Sequence, residues 1–110
     1  MNTDPGILAA IQEIVNRLVT GYAPQKIILF GSYAYGEPNE DSDIDLLIIK
    51  GTSERFAERL DTVRRLATGA HRRIPFEAIV LTPGEVKRRL EVGDQFIAEI
   101  IQNGKVLYGA

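Results

Sequence analysis

Asp43 and Asp45 stand one residue apart at the start of an apolar run, "SDIDLLII", and an earlier apolar run, "KIILF", ends in Gly31-Ser32. In an extended strand successive side chains alternate between faces, so the two aspartates share a face and lie about 7 Å apart along the strand. At an effective dielectric near 20, like charges at about that distance repel by roughly 2 kcal/mol. A divalent cation reverses the sign. Magnesium prefers hard oxygen ligands and commonly takes one or two carboxylates together with substrate phosphates. The pattern therefore points to metal-assisted chemistry on a phosphorylated substrate, with Asp43 and Asp45 as candidate metal ligands and catalytic residues.

Two further features extend this reading. Glu77, in "IPFEAIVL", falls on a third predicted strand and shares a face with Ile79. If that strand neighbours the second, Glu77 completes a set of three carboxylates. Such a set can hold two metal ions about 3.5–4 Å apart, one at an attacking hydroxyl and one at a triphosphate. Gly31 and Ser32 open "SYAYG", long enough for one helical turn, where the glycine permits close approach of a phosphate and the hydroxyl adds a donor. Taken singly, each has a plainer explanation: Glu77 as a strand-edge carboxylate and "GS" as a strand-end turn.

Two other motifs fail on their residues. "GSYAYGE" has P-loop glycine spacing but places Glu37 where lysine is required. "DSDIDL" from Asp41 imitates a calcium loop, yet its sixth position is Leu46 and its twelfth Thr52.

The elements that must position these residues follow from periodicity. Ile7, Ile11, Ile14 and Leu18 recur at helical spacing behind Asp4-Pro5, a cap and first-turn pair, with Gly21 the expected end. Lys26 to Phe30 reads as a buried strand, and "SDIDLLIIKG" as a second. Phe56, Leu60, Val63, Ala67 and Ala70 mark one face of a helix from Thr52 or Ser53 to about Ala70. After the third strand, "TPGE" at Thr82–Glu85 is a capping box opening a helix with Val86 and Leu90. A further helix carries Phe96, Ile97, Ile100 and Ile101, and "GKVLYG" adds a last short strand or lies across the core. The order predicts an α+β fold, an α/β sandwich in which helices cover a small mixed sheet.

Composition narrows the functions. The 110 residues fit one domain spanning 1–110, able to bury about two-thirds of its unfolded surface. Thirteen basic against fifteen acidic residues leave a net charge of −2, without the basic balance of a protein that grips nucleic acid by its phosphates, so no direct nucleic acid binding is expected. No cysteine is present, which excludes a disulfide framework and thiolate chemistry. No apolar run approaches the ~18 residues of a membrane span. "MNTDPG" has neither the basic start nor the apolar centre of a signal peptide, and the expected location is cytoplasmic. The basic clusters at Arg64-Arg65, His71–Arg73 and Lys87–Arg89 read as solvated faces, and a lone His71 excludes a multi-histidine metal site.

Together, Gly31-Ser32, Gly36, Ser42-Asp43-Ile44-Asp45 and the later strand carboxylate resemble the signature of the DNA polymerase β-type nucleotidyltransferase superfamily. Within it, the short length and the endings "IPFEAIVLTPGEV" and "GKVLYG" resemble the minimal nucleotidyltransferases, the MntA-like antitoxins paired with HEPN toxins. The resemblance implies that Gly31 and Ser32 hold a triphosphate, that Asp43 and Asp45 bind two Mg²⁺ and contact the nucleotide, and that Glu77 fills the third carboxylate position. It also implies ATP as donor and transfer of AMP to a tyrosine of a HEPN-domain toxin, in assembly with that partner or with further copies. Two residues depart from the pattern: Glu77 stands where aspartate is usual, and Tyr35 where many relatives have arginine. An antitoxin that acts by binding alone, or a transferase acting on a small molecule or RNA end, are the alternative readings.

Overall fold

The computed structural model describes residues 4–109; residues 1–3, the start of the segment read for a leader, and residue 110 lie outside the described residues. The chain runs α1 (Pro5–Tyr22), β1 (Lys26–Phe30), α2 (Ser32–Tyr35), β2 (Ile44–Ile49), α3 (Phe56–Ala67), β3 (Phe76–Leu81), α4 (Pro83–Glu91), α5 (Gln95–Asn103) and β4 (Lys105–Tyr108). The four strands form one mixed sheet in the order β3-β2-β1-β4. β1 is antiparallel to β2 and β4, whereas β2 and β3 run parallel. The expected α+β sandwich is what the chain forms, and the tail "KVLY" resolves as an edge strand.

Strand alternation builds two apolar layers. Ile27, Leu29, Ile44, Leu46 and Ile48 face Ile14 and Leu18 of α1 and Val63 and Ala67 of α3. Ile28, Phe30, Leu47, Ile49 and Leu81 face Val86 of α4 and Ile97 and Ile100 of α5. Because β1 and β2 are buried on both faces, their apolar runs are nearly continuous.

Local chemistry sets the helix ends. The Asp4 carboxylate accepts from Gly6 N at 2.6 Å, as its capping role predicts. The helix continues past Gly21 and closes at Ala23, which takes the left-handed conformation at φ 51°. Gly21 serves another purpose: a Cβ there would lie 2.6 Å from Leu66 Cδ2, so its bareness lets α1 approach α3 closely. In the "TPGE" box, Thr82 Oγ1 accepts from Glu85 N at 3.1 Å and Glu85 Oε1 accepts from Thr82 N at 2.7 Å.

The third helix begins four residues later than Thr52, and this changes what Phe56 does. At the first helical position it hangs off the end, 52% exposed, with the Arg59 guanidinium 4.6 Å from its ring. Arg59 itself is buried. It donates to the Glu54 and Val80 carbonyls at 2.8 and 3.2 Å and pairs with Glu85 at 2.7 Å, tying α3, β3 and the start of α4 together.

Candidate active site

The sheet brings the sequence-predicted carboxylates to one place. Asp45 of β2 is the direct register partner of Glu77 on β3 and of Phe30 on β1. Asp45 alternates with Leu47 and Ile49, and Glu77 with Ile79 and Leu81, so both share the face covered by α4 and α5. Asp43 lies just before β2 begins. Asp43 and Asp45 are half-buried, and Glu77 is exposed. Burial first, then the charges of Asp43 and Glu77, push the Asp45 carboxyl up from 3.8 to about 6. Among the described residues, none of the ion pairs involves Asp43, Asp45 or Glu77.

The glycine-serine turn touches this group. Gly31 has φ 75° and ψ −159°, a conformation open essentially to glycine alone. Its carbonyl accepts from Ala34 N and Tyr35 N at 3.0 Å each, which forms the single turn of α2, and Gly36 at φ 90° ends it. A Cβ added to Gly31 would collide with the Asp45 carboxylate. From there the acidic loop folds on itself: Ser42, buried, accepts from Asn39 N at 2.8 Å and donates its own N–H to the Asn39 carbonyl at 3.1 Å. Glu37, Glu40 and Asp41 remain exposed on that loop.

Three carboxylates with no basic partner among the ion pairs of the described residues offer the hard oxygen donors that magnesium prefers. The side chains do not converge on a single point: among the described residues, no three His, Cys, Asp or Glu side chains are close enough to hold a metal as they stand. The residues fit a divalent cation by the chemistry of their donor atoms, with Asp43 and Asp45 one residue apart and Glu77 on the neighbouring strand.

The family model for polymerase β nucleotidyltransferases matches residues 12–110. The chain belongs to this family. It is 37% identical over 101 residues to "Putative protein adenylyltransferase MJ0604" of Methanocaldococcus jannaschii, an alignment covering 90% of this chain and 95% of that one. Two solved structures share the nucleotidyltransferase fold. One is an MntA–HpeT toxin–antitoxin (TM-score 0.62, 20% identity), the other a toxin–antitoxin with AMP-PNP (TM-score 0.61, 22% identity); each alignment covers 90% of this chain and 73% of the other. As a nucleotidyltransferase, the protein is an enzyme that transfers a nucleotidyl group, and the carboxylate and glycine-serine groups lie at adjoining strand ends of that fold.

Helical periodicity placed three apolar residues without foretelling their exposure. Phe96, Leu90 and Ile101 belong to apolar helical runs yet are 53%, 40% and 38% exposed. Phe96 lies edge-on to Phe30, with centroids 5.7 Å apart. Tyr35 is 42% exposed, and its phenol is pushed up by burial and by Glu99 of α5. Tyr22, by contrast, is buried and donates to Glu54 Oε1 at 2.8 Å. The basic clusters largely line the surface, as their pattern predicts: Arg64, Arg65, Arg72, Arg73, Lys87, Arg88 and Arg89 are exposed, and Arg65 and Arg89 pair with Asp61 and Asp94.

Proposed function

We propose that the protein is a Mg²⁺-dependent protein adenylyltransferase that moves AMP from ATP to a tyrosine of a HEPN-domain toxin, acting as the antitoxin of that pair in the cytoplasm. The observation that supports this reading is the close approach of Gly31 to Asp45, the register partner of Glu77, which brings the glycine-serine turn beside the carboxylates. The named relative and the toxin–antitoxin fold neighbours support the choice of a protein acceptor.

In this reading Gly31 and Ser32 receive the triphosphate, whose negative charge belongs next to backbone N–H groups rather than bare carboxylates. Asp43 and Asp45 hold the metal, with Glu77 as the third ligand. When bound, Mg²⁺ neutralises the triphosphate and stabilises charge on the transferring phosphoryl group. Glu77, on the exposed edge, accepts the proton of the acceptor hydroxyl. An oxygen–phosphorus bond forms at the α-phosphorus as the bond to the β-phosphate bridge breaks, and pyrophosphate leaves.

The test combines the protein with a candidate HEPN partner, Mg²⁺ and ATP labelled at either the α- or the γ-phosphate. Label from the α position alone, abolished in Asp43→Asn and Asp45→Asn, is the expected result. Toxin inhibition with no label transferred would replace this reading with inhibition by binding alone, and γ label would make the protein a kinase.

A further inference from the structure

We infer that the exposed face of Phe96 is the platform on which the base of the donor nucleotide stacks; the inference rests on the nucleotidyltransferase reading of the neighbouring carboxylates. Phe96 is 53% exposed, the most open of the large apolar side chains of α5, where Ile97 and Ile100 are almost fully buried and Ile101 is 38% exposed. Its ring packs at right angles to the buried Phe30 ring, centroids 5.7 Å apart at 85°, while the residue stays half-exposed. Aromatic pairs prefer this arrangement, so the platform is preformed.

Its position selects the donor rather than the acceptor. Phe30 is the register partner of Asp45, and directly opposed residues in an antiparallel pair have Cα atoms about 5 Å apart. Glu77 flanks Asp45 on one side, from β3, and Phe30 flanks it on the other, from β1. Gly31 follows Phe30 directly, so the phosphate-accepting turn and the aromatic pair stand on the same side of Asp45, away from Glu77. Phe96, on the helix that packs against β1, stands next to that turn through Phe30, near enough for the base of a nucleotide whose phosphates the turn holds. Every base has a π-face, so stacking on such a ring binds without choosing among bases.

The experiment measures binding of Mg·ATP and of Mg·tripolyphosphate by calorimetry to the wild-type protein, Phe96→Ala and Phe96→Tyr. Removing the ring should weaken ATP about tenfold, whereas tyrosine, which keeps it, should hold ATP within about twofold. Tripolyphosphate has no base and should bind all three alike. Equal ATP affinity in wild type and Phe96→Ala overturns the inference while leaving the phosphate site standing, provided tripolyphosphate still binds. A parallel loss of tripolyphosphate in Phe96→Ala also overturns it, because the ring would then be a support of the turn. Failure of the wild-type protein to bind either probe removes the nucleotidyltransferase reading of the site, and this inference with it.

Discussion

Gly31 lies so close to the Asp45 carboxylate that no side chain fits between them. Two residues fourteen positions apart thus share one volume, and the left-handed backbone at Gly31 is what allows it. Gly31→Ala should therefore strain the turn by about 1–3 kcal/mol and displace Asp45, reducing transfer by about 100-fold or more. Thermal melting and single-turnover labelling check both halves. Unchanged activity would show that the contact is incidental.

The half-buried Asp45 opposes folding when it is ionised. Its carboxyl binds a proton more tightly in the folded chain, with a value of about 6 against an ordinary 3.8. The sign follows: ionising it costs the folded state, so metal-free stability falls as pH rises from about 4 to about 6 and is flat above that. With allowance for solvent screening of a partly exposed group, the loss is about 1 kcal/mol. Asp45→Asn should thus melt higher than wild type at pH 7 in a chelator, while Mg²⁺ with ATP should raise the wild-type melting temperature and not the variant's. A variant that melts lower than wild type in chelator would contradict the origin given for the shift.

Glu77 is exposed and, in the proposed reaction, is the proton acceptor and third ligand. Glu77→Gln keeps its shape and removes the charge; kcat should drop about 100-fold or more with ATP affinity little changed. Glu77→Asp keeps the charge on a shorter stem and should retain metal-dependent transfer. A glutamine variant as fast as wild type would assign the proton to another group.

Arg59 and Glu85 form the one ion pair, among those of the described residues, whose cation is almost fully buried, the arginine side chain being 7% exposed. Arg59→Met leaves the Val80 and Glu54 carbonyls without their donor and should cost about 3 kcal/mol in urea denaturation. Glu85, held below the usual carboxylate range chiefly by its bond from Arg59, contributes stability above its ordinary value of 4.5 that is lost as pH falls. The acid limb of the stability curve should therefore be shallower in Arg59→Met, and an unaltered limb would count against the pair.

Most of the fold was legible in the sequence because it is written in local pattern. The Lys26–Phe30 strand, the Asp4-Pro5 cap and the "TPGE" box appear where spacing places them. The alternation at Asp45 and Glu77 gave the right faces, but their adjacency depends on parallel pairing of β2 with β3, and nothing in either strand encodes it. Gly21 misled because a glycine read as a helix end is instead a crossing point with Leu66. Phe56 misled because helical periodicity does not say where a helix begins. Arg59 was invisible for a similar reason: within a helix rich in arginine and glutamate, nothing local marks which one turns inward. Phe96 shares its apolar character with Ile97, and only the packing of α5 on β1 separates the exposed ring from the buried side chain.

The measurement closest to the central claim is anomalous diffraction from crystals grown with Mn²⁺ and a non-hydrolysable ATP analogue. Manganese is expected between the Asp43 and Asp45 carboxylates and the phosphates, with the triphosphate along the Gly31-Ser32 turn. Phosphates bound elsewhere, or no cation between them and the two aspartates, would contradict it.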